Sequence, residues 1–272
     1  MAIAVERRQL SRATVLRRSL ISRDRLVQIG LIAAILLIWQ YIGEREGDFF
    51  LAPPTSVIDA FGEELRDGAI WGIVGSTVSG VLIGFAIAAV IGVTIGTLMG
   101  TSRAAAKALN PLISAGYVVP EAAMVPLLII WFGLGMTPRV ISVVLFAVFE
   151  IIVSTYAGVR NVDPVLGQVA RSFGASRAQL FRRVTCMAAL PYIFAGLRMG
   201  AARAVKGMVV AELLFAATGV GGAIQDAANA YQTDKVMVYV IVVTLIGVGF
   251  AGLVQLAERL WMRSWNGHYA DN

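Results

Sequence analysis

The sequence is poor in the residues that build metal centres and enzyme active sites. Its 272 residues include one cysteine, Cys186, and one histidine, His268. A single cysteine excludes a disulfide within the chain and any site with several cysteine ligands. The sequence contains no evident serine–histidine–aspartate set and no glycine-rich phosphate-binding loop. We therefore expect a non-catalytic chain that binds no cofactor or metal and does not hydrolyse ATP itself.

Charged residues are also scarce, and their scarcity indicates a membrane protein. Only 15% of the residues are charged, 58% are hydrophobic and the mean hydropathy is +0.76, whereas soluble domains carry about 25% charged residues. Most of the surface must therefore face lipid. The net charge of +6 includes seven arginines within residues 1–25. Because this arm precedes an apolar segment, we interpret it as a cytoplasmic orientation signal and expect no nucleic-acid partner.

Apolar runs predict an all-α integral membrane protein with about six transmembrane helices. A helix needs roughly 20 apolar residues to cross a hydrocarbon core of about 30 Å. Lysine and arginine cluster in alternate connections, which places both termini in the cytoplasm. The predicted division is a basic arm over 1–25, a transmembrane domain over 26–265 and a tail over 266–272. The predicted spans are 26–42, 70–100, 112–132, 140–157, 192–214 and 236–256.

Glycine and proline positions predict how two of these spans are shaped. Pro120 and Pro126 should kink or partly unwind the third span, which membrane proteins tolerate where the backbone is buried in protein or lines a cavity. Regular spacing of glycines along the second span predicts a close helix–helix seam. These glycines are Gly80, Gly84, Gly92, Gly96 and Gly100.

Two segments between spans are predicted to be helical without crossing the membrane. An amphipathic helix follows Pro53 and Pro54, and its apolar side chains lie on one helical face. The glycine-rich residues 218–230 predict a short loop and a half-helix. The apolar side chains of the first segment are Val57, Ile58, Phe61 and Leu65.

The longest polar interruption between apolar segments is VARSFGASRAQLFRRVTCMAALP, residues 169–191. Gly174 has helix-forming residues on both sides, which predicts a helix, a glycine turn and a second short helix. The chain then returns to lipid at Leu190 and Pro191. Phe173 and Phe181 belong to an apolar side of this stretch that can dock on a partner.

This stretch resembles the coupling loop of ATP-binding-cassette (ABC) importer permeases. The family motif begins Glu-Ala-Ala, has a glycine four residues after the second alanine and ends in Leu-Pro. Ala170 and Gly174 match the motif in register, whereas Gln168 and Val169 replace its first two residues. Three stretches are typical of the nitrate/sulfonate/taurine/bicarbonate branch: PEAAMVPLLIIWFGLG (120–135), FGAS (173–176) and LPYIFAGLR (190–198).

The resemblance implies a type I ABC importer permease fold over about residues 50–265, with the coupling loop at 159–191. It also implies a multi-pass protein of the bacterial inner membrane. The expected partners are a second copy of the chain, two ABC ATPase subunits that bind ATP and magnesium, and an external solute-binding protein. Residues expected to couple the 164–184 helices to the ATPase are Ala170, Phe173, Gly174, Ala175, Ser176 and Phe181.

Six ionisable residues lie within the predicted spans, where a central charge costs about 2.5–3.5 kcal/mol on insertion scales. Arg203 and Lys206 lie about 60° apart on the fifth helix. They either line a translocation path and attract an anion, or pair with Glu150, Glu121 or Glu212 and lock the helices, and the two roles can coexist. Lys206 stands where the branch commonly has an aromatic or apolar residue, so it is the first candidate for a substrate-specific feature. The six residues are Glu121, Glu150, Arg198, Arg203, Lys206 and Glu212, and all except Arg198 form the predicted path or gating set.

The predicted function is that of a permease subunit in an ATP-driven importer of a small solute. The branch resemblance implies an anion: a sulfonate or taurine, nitrate, bicarbonate or an aromatic carboxylate. The same branch includes transporters of pyrimidine vitamin precursors and riboflavin, so an uncharged heterocycle is the alternative. A proton-coupled secondary transporter is more distant, because no inverted repeat is obvious and such a protein needs no coupling loop. A membrane scaffold would leave the intramembrane charges unexplained.

Overall fold

The computed structural model describes residues 25–47, 50–215 and 218–270, and helices account for nearly all of them. The predicted N-terminal arm, apart from Arg25, lies outside the described residues. In chain order the helices are α1 (Arg25–Glu46), α2 (Pro54–Asp67), α3 (Ala69–Thr101), α4 (Arg103–Val118), α5 (Glu121–Phe132), α6 (Met136–Arg160), α7 (Pro164–Ser172), α8 (Arg177–Leu180), α9 (Cys186–Phe215), α10 (Val220–Asn229) and α11 (Thr233–Ala270). A π-helical turn, Phe181–Thr185, joins α8 to α9.

Within the described residues, five helical stretches are long and apolar enough to cross a membrane: α1, α3, α6, α11 and the continuous stretch Arg177–Leu214 that contains α8 and α9. Helices α4 and α5 provide a sixth span if they are counted as one span bent by 95°. The prediction of about six spans is confirmed. The predicted tail is helical as far as Ala270.

The bend in the third span occurs at Pro120, as predicted. Val119 is extended, with φ −62° and ψ 128°, because a proline disfavours the helical conformation of the residue before it. The prediction that Pro126 also interrupts this span is wrong, since α5 continues through it. A proline inside a transmembrane helix is tolerated when neighbouring elements satisfy the freed backbone groups.

Helix α6 lies at the centre of the fold, packed between α3 and α9. Four of the five predicted glycines form a seam with α6, whereas Gly80 lies against Met208 of α9. A Cβ atom added at Gly84, Gly92, Gly96 or Gly100 would lie 2.5–2.7 Å from a side chain of α6. Glycine is therefore required there by the close approach of the two helices. The α6 residues in question are Val143, Ile151, Thr155 and Val159.

The amphipathic helix α2 packs against α11, but its buried face differs from the predicted one. Val57 and Phe61 face inward, whereas Ile58 is 69% and Leu65 is 38% exposed. Glu64 is instead buried, because its carboxylate pairs with α11. It lies 2.9 Å from Lys235 Nζ and accepts a 2.6 Å hydrogen bond from the Tyr239 hydroxyl. The α10 helix confirms the half-helix predicted over 218–230.

Candidate functional site

Three helices bring a group of charged side chains together around Arg203 of α9. The Arg203 Nε atom lies 2.8 Å from Glu150 Oε1 on α6, and Arg203 Nη1 lies 3.2 Å from Glu121 Oε1 on α5. The Tyr117 hydroxyl donates a 3.1 Å hydrogen bond to Glu150 Oε1, and its ring centroid is 5.8 Å from the guanidinium. These four residues are the Arg203 cluster. One cation is held between two carboxylates, so Arg203 has the second of its two predicted roles, that of pairing with membrane carboxylates.

The bend at Pro120 positions one of these carboxylates. Glu121 is the first residue of α5, where a negative charge is stabilised by the helix dipole. The break between α4 and α5 places Tyr117 and Glu121 on opposite sides of the bend, yet both reach the same cluster. Arg203 is 37% exposed and Glu121 is 22% exposed, whereas Glu150 is 8% exposed. The cluster therefore opens toward the surface on the side of α5.

Lys206 lies one helical turn beyond Arg203 and has a different environment. Its side chain is exposed, and it forms no ion pair within the part of the chain that the structure describes. Arg203 and Lys206 therefore have different surroundings in the structure, although the helical period places them on one face of α9. Arg203 is paired with two carboxylates, whereas Lys206 has no carboxylate within ion-pair distance among the described residues. The remaining cation of this helix, Arg198, pairs with Glu258 of α11 at 3.3 Å.

Glu212 belongs to a second, fully buried group, which we name the Glu212 cluster: Glu212, Thr77, Val220, Gly221 and Arg139. The Thr77 hydroxyl lies 2.8 and 3.0 Å from the two carboxylate oxygens, and the Gly221 N–H donates to Oε2 at 2.9 Å. Thr77 Oγ1 in turn accepts from the Val220 N–H at 2.9 Å. Arg139 Nη1 is 3.7 Å from Glu212 Oε1. The cluster joins α3, α6, α9 and the start of α10.

Arg139 completes the Glu212 cluster and was not recognised from the sequence as part of a site. Its side chain is 6% exposed and also donates to the carbonyl oxygens of Gly135 and Thr218, each at 3.0 Å. The available signal was an arginine at the start of an apolar span, which in a membrane protein points to a buried partner. Thr77 could not be identified from the sequence as a site residue, because a threonine in an apolar helix is common. Glu212 pairs with Arg139 and forms no ion pair with Arg203 or Lys206, both of which the structure describes.

The polar stretch forms the helix, turn and helix that its sequence predicts. We name residues 164–185 the coupling segment. Asp163 caps α7 by accepting from the Val165 N–H at 2.8 Å. Gly174 has φ +76°, a conformation that favours glycine, and its N–H donates to the Arg171 carbonyl at 2.9 Å. Ser176 then starts α8 in a capping box with Gln179.

The coupling segment presents apolar side chains on its surface. Phe173 is 88% exposed and Phe181 is 39% exposed. Gly174 and Ser176 are also exposed, whereas Ala170 and Ala175 are partly buried. All six predicted coupling residues therefore lie in one short segment. Exposed apolar patches mark protein or membrane contact surfaces, so Phe173 and Phe181 are candidates for such a contact.

The chain is similar to known membrane transport proteins. The sequence profile of the family described as binding-protein-dependent transport system inner membrane component matches residues 88–263. The chain is 37% identical over 219 residues to the aliphatic sulfonates transport permease protein SsuC of Escherichia coli, covering 80% of this chain and 83% of that protein. It is 31% identical over 257 residues to the E. coli taurine transport system permease protein TauC, covering 91% and 92%. The riboflavin transport system permease protein RibX of Chloroflexus aurantiacus is 36% identical over 231 residues, covering 84% and 86%.

Solved structures share the fold. The crystal structure of an amino acid ABC transporter with histidines aligns with a TM-score of 0.60 at 18% identity, covering 73% of this chain and 97% of that chain. The methionine ABC transporter MetNI, in an inward-facing conformation, aligns with a TM-score of 0.57 at 18% identity, covering 70% and 97%. These alignments show the type I ABC importer permease fold. By its family match and its identity to these permeases, the chain belongs to the binding-protein-dependent transport system inner membrane component family, as a multi-pass permease subunit of an ABC importer.

Proposed function

We propose that this permease moves a small organic or inorganic anion across a bacterial inner membrane, and that Lys206 attracts the anion. The observation that carries the proposal is the contrast between two neighbouring cations. Arg203 is paired with two carboxylates, whereas Lys206 is exposed and has no carboxylate partner among the described residues. An exposed cation on a spanning helix that has no carboxylate partner is free to attract an anion. The anionic sulfonate group of the sulfonates and taurine named in two relatives fits this charge, as do nitrate, bicarbonate and aromatic carboxylates.

The proposed working particle contains two copies of this chain, two ABC ATPase subunits and an external solute-binding protein. The ATPase subunits hold ATP and magnesium and carry out the hydrolysis. Phe173 and Phe181 of the coupling segment dock on the ATPase, and Ala170, Gly174, Ala175 and Ser176 hold the segment in shape. Closure of the two ATPase subunits then displaces α7 and α8.

The connection between α8 and α9 explains how a displacement of α8 reaches the translocation path. The π-helical turn Phe181–Thr185 joins α8 to α9 without a loop, so movement of α8 is passed directly to α9. Arg203 and Lys206 lie on α9 and Glu121 lies on α5. A shift of α9 away from α5 would open the contact between Arg203 and Glu121. Arg203 would then be available, with Lys206, to bind the anion. In this proposal Arg203 pairs with the carboxylates in one stage of the transport cycle and lines the translocation path in another.

An uncharged heterocycle such as riboflavin or a pyrimidine vitamin precursor is the second candidate. One relative is named as a riboflavin permease at 36% identity. Tyr117 of the Arg203 cluster is 44% exposed, and its ring can stack on a flat heterocycle. In this alternative Lys206 contributes little to recognition.

Uptake by reconstituted proteoliposomes tests the proposal. The permease is assembled with its ATPase and binding protein, and the panel contains taurine, an alkanesulfonate, nitrate, bicarbonate, benzoate and riboflavin. Lys206→Gln should lower uptake of the transported anion by about tenfold or more, since an anion contact is worth at least about 1.4 kcal/mol. Lys206→Arg should retain most of the uptake. Lys107→Gln, which removes an exposed cation of α4, is the matched control.

Three results would contradict the proposal. Anion uptake that is unchanged in Lys206→Gln would remove Lys206 from the path. Uptake of riboflavin but of no anion would support the heterocycle candidate. Uptake that survives an inactive ATPase but stops when an ionophore collapses the proton gradient would indicate a secondary transporter. Weighing the intact particle by native mass spectrometry tests the two-to-two composition separately.

A further inference from the structure

A cavity lies where the coupling segment meets the ends of α3 and α6, and its charge is strongly positive. Arg103, Arg171 and Arg177 line it together with a single carboxylate, that of Asp163. The Asp163 carboxylate already caps α7 through the Val165 N–H. Three cations therefore face one carboxylate that is engaged elsewhere.

None of the three arginines forms an ion pair with another side chain of the described ranges. Arg171 nevertheless folds back along its own helix. Its Nη2 atom is 3.9 Å from the position that a Cβ atom would take at Gly167, which also lines the cavity. Arg103 is the first residue of α4, whose first turn contains no acidic residue. A cation at a helix N-terminus is unfavourable on its own, and an anion in the cavity would offset this.

The position and lining of the cavity indicate which anion fits. Thr101 ends α3 and Arg103 begins α4, so this part of the cavity lies between two segments that can cross a membrane and hence at one end of the membrane-spanning region. Val159, Val162, Leu180 and Val184 add apolar walls beside the arginines. Arginine binds phosphate through paired N–H groups, and basic pockets between membrane helices bind anionic lipid head groups. We propose that this cavity binds the phosphate of an anionic phospholipid.

A lipid in this cavity would contact both the coupling segment and the start of α4. Its phosphate would bridge Arg171 and Arg177 in the coupling segment to Arg103 at the start of α4. The coupling segment would then be anchored to the membrane surface as well as to the ATPase. Lipid composition would influence how the segment moves, whichever solute is transported.

Lipid retention by the assembled transporter tests the proposal. The complete particle is purified in mild detergent, incubated with phosphatidylglycerol or phosphatidylcholine, and weighed by native mass spectrometry. The double variant Arg171→Gln with Arg177→Gln is compared with Arg182→Gln with Arg183→Gln, which removes the same charge from arginines outside the cavity lining. We expect the cavity variant to retain about tenfold less phosphatidylglycerol than the control. Gly167→Leu, which fills the cavity without changing its charge, should also lower retention.

Four outcomes would overturn the proposal. Equal losses in both double variants would mean that surface charge alone attracts the lipid. No preference for phosphatidylglycerol over phosphatidylcholine would exclude an anionic head group. Binding of radiolabelled inorganic phosphate without lipid retention would assign the cavity to a soluble ligand. Retention only after the ATPase is removed would mean that an acidic side chain of the ATPase occupies the cavity.

Discussion

Replacing Glu212 by glutamine tests whether the Glu212 cluster depends on an ionised carboxylate. The substitution keeps the size of the side chain and one acceptor oxygen. That oxygen can still accept from the Gly221 N–H, which lies 2.9 Å from Oε2 in the wild type. The amide NH2 group then takes the position of Oε1, the oxygen that lies 3.7 Å from Arg139 Nη1 in the wild type. A donor thus faces the cation, and Arg139 loses its only carboxylate partner among the described residues.

The structure sets the expected size of this effect. Breaking a buried ion pair by removing one partner costs about 3–5 kcal/mol. Arg139 keeps its hydrogen bonds to the carbonyl oxygens of Gly135 and Thr218, so we expect the lower end, about 3 kcal/mol. For a chain of this size each kcal/mol lowers the Tm by about 2–4 °C, so the Tm should fall by roughly 6–12 °C. Glu212→Ala should lower it further, because Thr77 and Gly221 also lose their acceptor.

Thermal unfolding in detergent measures the effect. Asp226→Asn is the matched control, since this carboxylate is exposed on α10 and forms no ion pair with a described residue. Combining Glu212→Gln with Arg139→Gln should recover about 1 kcal/mol or more relative to the sum of the single changes. A Tm of Glu212→Gln within about 1 °C of the wild type would refute the reasoning, because it would mean that the native carboxyl is already protonated or that its pairing carries no energy.

Three further perturbations address the seam, the coupling segment and α2. Gly92→Val places a Cβ atom 2.7 Å from Ile151, so the free energy of unfolding should fall by about 1–3 kcal/mol, whereas Gly249→Val, with open space around it, should change the Tm little. Gly174→Pro cannot adopt φ +76° and loses the backbone donor, so transport should stop while the Tm of the spans is retained; normal transport would contradict the coupling role. Burial raises the pKa of Glu64, but hydrogen bonds from Tyr239 and Lys235 outweigh it and hold that pKa below its ordinary value. The stability that ionised Glu64 contributes should be complete above about pH 4.3 and be lost as the pH falls through the lowered pKa, and Glu64→Gln should flatten this part of the Tm profile.

The glycine seam illustrates how far the sequence reaches. Four-residue spacing places Gly84, Gly92, Gly96 and Gly100 on nearly one face of a helix, so a close contact was predictable. The identity of the partner helix was not, because any of the other spans could meet that face. The structure selects α6, whose side chains fill the grooves that these glycines leave.

For the third span, the sequence likewise identified the positions where the helix can break but not which of them does. Both prolines, Pro120 and Pro126, forbid a backbone hydrogen bond, yet only Pro120 breaks the helix. The local rule identifies where a break is permitted. Whether it occurs depends on neighbouring elements that satisfy the backbone or draw the chain in a new direction. Here the break at Pro120 brings Glu121 to Arg203.

The sequence by itself determined the properties that depend on neighbouring residues. Long apolar runs defined the spans, Gly174 and Ser176 defined the turn and cap of the coupling segment, and the scarcity of charge defined the membrane environment. Only the tertiary structure decided which charges are neutralised. Glu212 meets Thr77 across 135 positions of the chain, and Arg203 meets Glu121 across 82. Hydropathy and helical period are local quantities, whereas ion pairing depends on how distant helices pack. For this reason only the folded structure shows that Lys206 has no carboxylate partner among the described residues.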